Sequence, residues 1–114
     1  MRKALILPTK YVQGEDELLN LGYFVSTFGK KALLIANPAD VDRVRPQLEE
    51  TAKKFDITFV EGGFSGEVTR EETKRLQNVG QKEQADCIIG LGGGKAIDAS
   101  KVVAEGENLI IVPT

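Results

Sequence analysis

Apolar residues along this chain follow two different periods. Continuous apolar runs at Lys31–Ala36 and Cys87–Leu91 read as buried strands, and those at Ile57–Val60 and Leu109–Val112 as further strands. Ala4–Leu7, closed by Pro8, reads as a first or edge strand, and Tyr11–Gln13 before Gly14 as a bent extended segment. Between the runs, apolar positions recur every three or four residues. Leu18, Leu21, Val25 and Phe28 share one face of a helix predicted over Glu15–Phe28, with Glu15, Asp16 and Glu17 in its first turn and Gly29 as its stop. Val41, Val44, Leu48, Ala52 and Phe55 mark the clearest amphipathic helix. Pro46 inside that pattern predicts a kink or a restart near Arg45. Thr69 and Glu72 form a capping box for a helix through about Lys82, whose buried face rests on Leu76 and Val79. Lys95–Ala104, free of Gly and Pro, reads as the last helix.

Strands alternating with helices predict one α/β domain, doubly wound around a mainly parallel sheet. In such sheets ligands bind beyond the carboxyl ends of the strands. Asn37, the loop Glu61–Val68, the glycines after Leu91 and Thr114 all follow strands, so all four are expected along one sheet edge.

The chemistry concentrates in one strand-to-helix turn, Gly92-Gly93-Gly94-Lys95. Residues without side chains let a ligand reach the backbone. The first amides of the following helix have no partner within it, and the helix dipole and Lys95 add positive charge. Such a turn suits an anion, a phosphate or pyrophosphate above all. The plainer alternative is a tight turn that binds nothing. Neither G-x-G-x-x-G nor G-x-x-x-x-G-K-[S/T] fits, because Lys95 falls where the first needs glycine and Ala96 follows it.

Composition narrows the choice further. The net charge of −2 has its signs interspersed, which argues against nucleic acid and anionic membranes as partners. No apolar run approaches the roughly 18 residues of a membrane span, and the run after Met1-Arg2-Lys3 is too short for a signal peptide. A single cysteine, Cys87, excludes an internal disulfide, reads as buried strand, and fits a cytoplasmic protein. There is no histidine, the commonest metal ligand and general base, so a complete transition-metal catalytic site is not expected within this chain.

Four segments then carry a resemblance. Pro8-Thr9-Lys10-Tyr11-Val12-Gln13-Gly14, Phe64-Ser65-Gly66-Glu67, Gly90-x-Gly92-Gly93-Gly94-Lys95-x-x-Asp98 and Ile110-Ile111-Val112-Pro113-Thr114 resemble, in order, the start of the metal-dependent, iron-containing type alcohol dehydrogenases. Gly-Gly-Gly-Lys is typical of the glycerol dehydrogenase branch and argues against the branches that resemble dehydroquinate synthase or glycerol-1-phosphate dehydrogenase.

The resemblance implies a Rossmann-like NAD-binding amino-terminal domain over residues 1–114. It implies that Gly92, Gly93, Gly94 and Lys95 lie at the NAD pyrophosphate, that Asp98 belongs to the same motif, and that Thr114 lies beside the coenzyme. Position 37 is usually acidic in the family and contacts the adenine ribose; here Asn37 keeps hydrogen-bonding capacity without charge, leaving NAD against NADP open. Asn37 also reads as a turn residue before Pro38, Asp98 as a carboxylate in a helix's first turn, and Ser65-Gly66-Glu67 as a turn.

Family members continue into a helical domain that holds zinc or iron with an aspartate and two histidines. The chain is therefore expected to be the cofactor half of an NAD-dependent oxidation of glycerol to dihydroxyacetone, truncated and inactive by itself. The alternatives are a stand-alone nucleotide-binding or interaction module, or one half of a split enzyme paired with a separate carboxyl-terminal half. Apolar surface left near the carboxyl ends of the strands and on Leu109–Val112 is expected to drive self-association.

Overall fold

The computed structural model describes residues 9–13 and 15–113. The predicted strand Ala4–Leu7 and Thr114 lie outside them. The elements in order are β1 (Thr9–Tyr11), α1 (Glu15–Leu18), α2 (Leu21–Ser26), β2 (Lys31–Ile35), α3 (Pro38–Phe55), β3 (Thr58–Glu61), α4 (Arg70–Lys82), β4 (Cys87–Gly92), α5 (Gly94–Val103) and β5 (Leu109–Pro113). The five strands form one sheet in the order β1-β5-β4-β2-β3, and every pairing is parallel. This is the predicted α/β fold with a parallel sheet.

The three inner strands β2, β4 and β5 are buried on both faces, and side-chain alternation sorts their residues between two cores. Ala32, Leu34, Cys87, Ile89, Leu91, Ile110 and Val112 face Leu18, Leu21, Val25, Val41, Val44 and Leu48 of α1, α2 and α3. Leu33, Ile35, Ile88, Leu109 and Ile111 face Leu76 of α4 and Ala96, Ala99 and Val103 of α5. One strand thus feeds both layers, which explains why these runs read as continuously apolar rather than alternating. Burial pushes the Cys87 thiol up to about 12, with the neighbouring Asp86 charge adding to the effect.

Gly90 sets how closely α5 approaches the sheet. A β-carbon there would collide with Ser100, which is fully buried on α5.

Three expectations need correction. The helix predicted over Glu15–Phe28 is two helices, broken at Leu19-Asn20. The cause is the buried Thr51 of α3, whose hydroxyl accepts from the Gly22 amide (2.8 Å) and donates to the Leu19 carbonyl (2.9 Å). In a continuous helix the Leu19 carbonyl would accept from the Tyr23 amide, which here bonds the Asn20 carbonyl instead.

The restart near Arg45 does not occur, since α3 runs unbroken through Pro46. Finally, Leu109–Val112 is not exposed. β5 lies between β1 and β4 and is buried, because Thr9–Tyr11 covers the side expected to be open. Among the described residues the edge strands are β1 and β3, and the exposed large apolar side chains Tyr11, Tyr23, Val68 and Val102 are scattered over β1, α2, the loop before α4, and α5.

A candidate nucleotide-binding edge

Parallel strands place their carboxyl ends together, so Val12, Asn37, the loop after β3, the glycine turn and Pro113 share one edge of the sheet. Strand order reverses between β2 and β4: the chain moves outward from β2 to β3, then crosses back to β4 and on to β5. The helices that follow β2 and β4 accordingly pack on opposite faces, α3 in one core and α5 in the other. Such a divergence opens a crevice at the switch point. Asn37 stands on one side of it and Gly92–Lys95 on the other.

Each glycine of the turn has a different reason to be glycine. Gly92 ends β4 with φ of 127°, a conformation side-chain-bearing residues rarely adopt, and a β-carbon there would come within 2.9 Å of Asp40 Oδ2. Gly93 is the N-cap of α5 with φ of −88° and ψ of −166°, which any residue can adopt. A β-carbon on Gly93 or Gly94 would meet no atom within 4 Å. Neither packing nor backbone geometry demands glycine at these two exposed positions. A β-carbon at Gly94 is therefore accommodated without strain.

The amides behind them are also unclaimed by any cap. The N-caps Asn37 of α3 and Thr69 of α4 both hold a backbone amide with their side chains, at 3.1 and 3.0 Å, whereas the N-cap of α5 has no side chain to do so. The start of α5 keeps its uncompensated donors and the positive end of its dipole facing the edge.

Charged groups gather around this turn. Lys95 Nζ lies 3.1 and 3.3 Å from the two carboxylate oxygens of Glu67, with both side chains largely exposed. Asp40 Oδ1 is held by Arg43 at 3.1 Å, beneath Gly92. The loop bearing Glu67 has a firm root. Arg75 donates to the carbonyls of Gly62 and Gly63, both at 3.0 Å, and to the carboxylate of Glu72, which also accepts from the Ser65 amide at 2.9 Å. The Arg75 hydrogen bond, helped by that amide and opposed by burial, holds the Glu72 carboxyl down at about 2. The capping box is thus half-formed: Thr69 caps the Glu72 amide, but the Glu72 carboxylate serves the loop and Arg75 instead of the Thr69 amide.

The structure brings Asn37, Gly92, Gly93, Gly94 and Lys95 to the same edge. Asn37 spends Oδ1 on the cap of α3, and among the described residues its Nδ2 makes no hydrogen bond. Asp98 lies on α5 beyond the first turn, which contains no acidic residue, so it is not the dipole-stabilised first-turn carboxylate of the plainer reading. It is exposed and makes no hydrogen bond or ion pair among the described residues.

Sequence reasoning missed the Glu67–Lys95 pair, 28 residues apart, and the place of Asp40 under Gly92. No local pattern signals either, because both arise from the crossover of α4.

Among the described residues no group of three or more His, Cys, Asp or Glu could hold a metal ion. No helix among them is long and apolar enough to cross a membrane. Two concavities, of about 240 and 260 Å³, lie between α4 and α5 near Gln84 and between α3 and β3 near Phe59. Neither includes the glycine turn, which is an open edge whose interest rests on its donors rather than on its volume.

Comparison with known proteins places this geometry in a family. The family model for iron-containing alcohol dehydrogenases matches residues 8–113. A glycolaldehyde reductase of Halobacterium salinarum is 33% identical over 94% of this chain and 30% of its own length. A glycerol dehydrogenase of Escherichia coli is 28% identical over 100% of this chain and 32% of its own. The crystal structure of a probable glycerol dehydrogenase from Sinorhizobium meliloti superposes with a TM-score of 0.74 at 31% identity, covering 94% of this chain and 29% of that one. That of glycerol dehydrogenase from Schizosaccharomyces pombe gives 0.77 at 26% identity, covering 95% and 28%. The chain spans about a third of the length of the curated relatives it matches, 30% and 32% for the two named. With its parallel sheet, its glycine turn at the switch point and a family match over nearly its whole length, the chain belongs to the iron-containing alcohol dehydrogenases.

Proposed function

We propose that this chain is the nucleotide-binding part of an NAD-dependent dehydrogenase acting on a small polyol, with glycerol and dihydroxyacetone as the parent pair. The observation that carries the reading is the space at Gly93 and Gly94. A β-carbon on either residue would stand clear of the rest of the protein, and the first amides of α5, at the switch point, have no side-chain cap. A pyrophosphate fits that cradle: the amides of Gly93, Gly94 and Lys95 donate to it and the Lys95 ammonium neutralises it.

Gly92 supplies the reversal that exposes those amides. Asn37, across the crevice, offers Nδ2 as a donor to a ribose hydroxyl while Oδ1 keeps the α3 cap. The same donor tolerates a 2′-phosphate, so both coenzymes are to be compared. Thr114, next after β5, is assigned to the coenzyme by resemblance, and Asp98 by its motif. The bound coenzyme supplies a nicotinamide that exchanges hydride with the alcohol carbon. The chain's own part is to bind and orient it.

The relatives named for glycerol and glycolaldehyde point to a small hydroxylated substrate. The zinc or iron of the parent reaction is assigned to residues outside this chain, which by itself is expected to turn over no glycerol.

The test is a titration of the chain with NAD and with NADP, followed by calorimetry and by amide NMR shifts. The expected result is saturable binding with the largest shifts at Gly93, Gly94 and Lys95. Absence of binding at millimolar coenzyme, or shifts centred elsewhere, overturns the reading.

A further inference from the structure

Glu67 meets Lys95 in the way an incoming anion would. Both carboxylate oxygens face Nζ, at 3.1 and 3.3 Å, over the first turn of α5. The carboxylate reaches there from the loop after β3, whose root is pinned by Arg75 to Gly62 and Gly63 and by Glu72 to Ser65. Beyond that root the loop turns through Gly66 at φ of 103°, and Glu67 itself is 70% exposed at its side chain. The segment is therefore anchored at its base while its charged tip is free to rotate into water.

Resting on the nucleotide-binding reading, we infer that Glu67 is an internal competitor for the glycine turn. It occupies Lys95 in the unliganded chain and must release it when a phosphate binds. The two states share one ammonium: either the carboxylate or the phosphate is its partner, and a carboxylate left beside a bound phosphate repels it. Rotation of the Glu67 side chain into solvent resolves the conflict without disturbing the loop root. The pair is exposed, so its hold is small, and Glu67 tunes affinity rather than blocking the site.

The experiment uses the full chain with NAD and with inorganic pyrophosphate as probes, measured by calorimetry for the unmodified chain, Glu67→Gln, Lys95→Ala and the double variant. Competition for Lys95 predicts that Glu67→Gln tightens both probes by about two- to five-fold, and that the gain disappears in the Lys95→Ala background. Unchanged or weaker binding by Glu67→Gln, with the unmodified chain still binding, overturns the competition and leaves the nucleotide site standing. An equal gain in both backgrounds also overturns it, since the effect would then be repulsion that does not pass through Lys95. Failure of every variant to bind either probe overturns the nucleotide reading, and the competition with it.

Discussion

The hydroxyl of Thr51 accepts a hydrogen bond from the amide of Gly22, at 2.8 Å, in the buried contact between α2 and α3. The same hydroxyl donates to the Leu19 carbonyl, so one side chain satisfies two of the backbone groups at the break between α1 and α2. Thr51→Val keeps the shape and removes the donor and acceptor. It is expected to cost about 1–3 kcal/mol, with Thr51→Ser costing less, as measured by urea unfolding. Equal stability of Thr51→Val and the unmodified chain would mean that water satisfies the break.

The glycines of the turn separate fold from binding. Gly92→Ala forces a side chain into a left-handed conformation against Asp40 and is expected to lower stability by about 1–3 kcal/mol. Gly94→Ala, at a helical position with open space, should raise stability by about 0.4–1 kcal/mol while weakening coenzyme binding. Thermal unfolding and calorimetry on the two variants read both effects. A Gly94→Ala variant that is more stable and binds at full strength would remove the cradle argument.

Lys95→Ala is expected to weaken NAD and pyrophosphate by about 1 kcal/mol or more, since a charge-assisted contact is lost. Its melting temperature should stay near that of the unmodified chain, because the ion pair it breaks with Glu67 is exposed. A large drop in stability would assign Lys95 to the fold instead.

Glu72 makes the stability depend on acid. Its carboxyl sits at about 2 in the folded chain against an ordinary 4.5. The unfolded chain therefore binds the proton first as pH falls, and the stabilisation is complete above about pH 4.5 and lost as pH falls toward about 2. Denaturation midpoints measured between these values should fall less steeply for Glu72→Gln, which is also expected to be weaker at neutral pH because Arg75 loses its partner. Parallel slopes for the two chains would show that other carboxylates carry the acid response.

Cys87 should be inert. Its thiol is fully buried and raised to about 12, so little thiolate exists at neutral pH. A thiol reagent is expected to label it only at the rate of unfolding, and to label it fully in denaturant. Rapid labelling of the folded chain would contradict the burial of β4.

The inner strands β2, β4 and β5 were legible because strands covered on both faces write themselves as unbroken apolar runs. The glycine turn was legible because its chemistry lies in consecutive residues. What escaped was set by distant partners. Nothing between Glu15 and Phe28 forbids one helix; the break depends on a hydroxyl 29 residues beyond Gly22. Thr69 and Glu72 spell a capping box, but the loop amide of Ser65 and the guanidinium of Arg75 outbid the Thr69 amide for the carboxylate. Glu67 looked like turn filler because its partner, Lys95, arrives only after α4 has crossed the sheet.

Gly90 contacts no ligand in any of these readings, yet it governs the elevation from which α5 addresses the crevice. The helix rests on the sheet at a spacing fixed by one absent methyl group, opposite Ser100. A single carbon added there would lift the helix and carry the amides of Gly93, Gly94 and Lys95 with it, all of them chemically unaltered. On the proposed reading, coenzyme affinity is open to retuning from the interior of the sheet, by a substitution invisible from the surface assigned to the coenzyme.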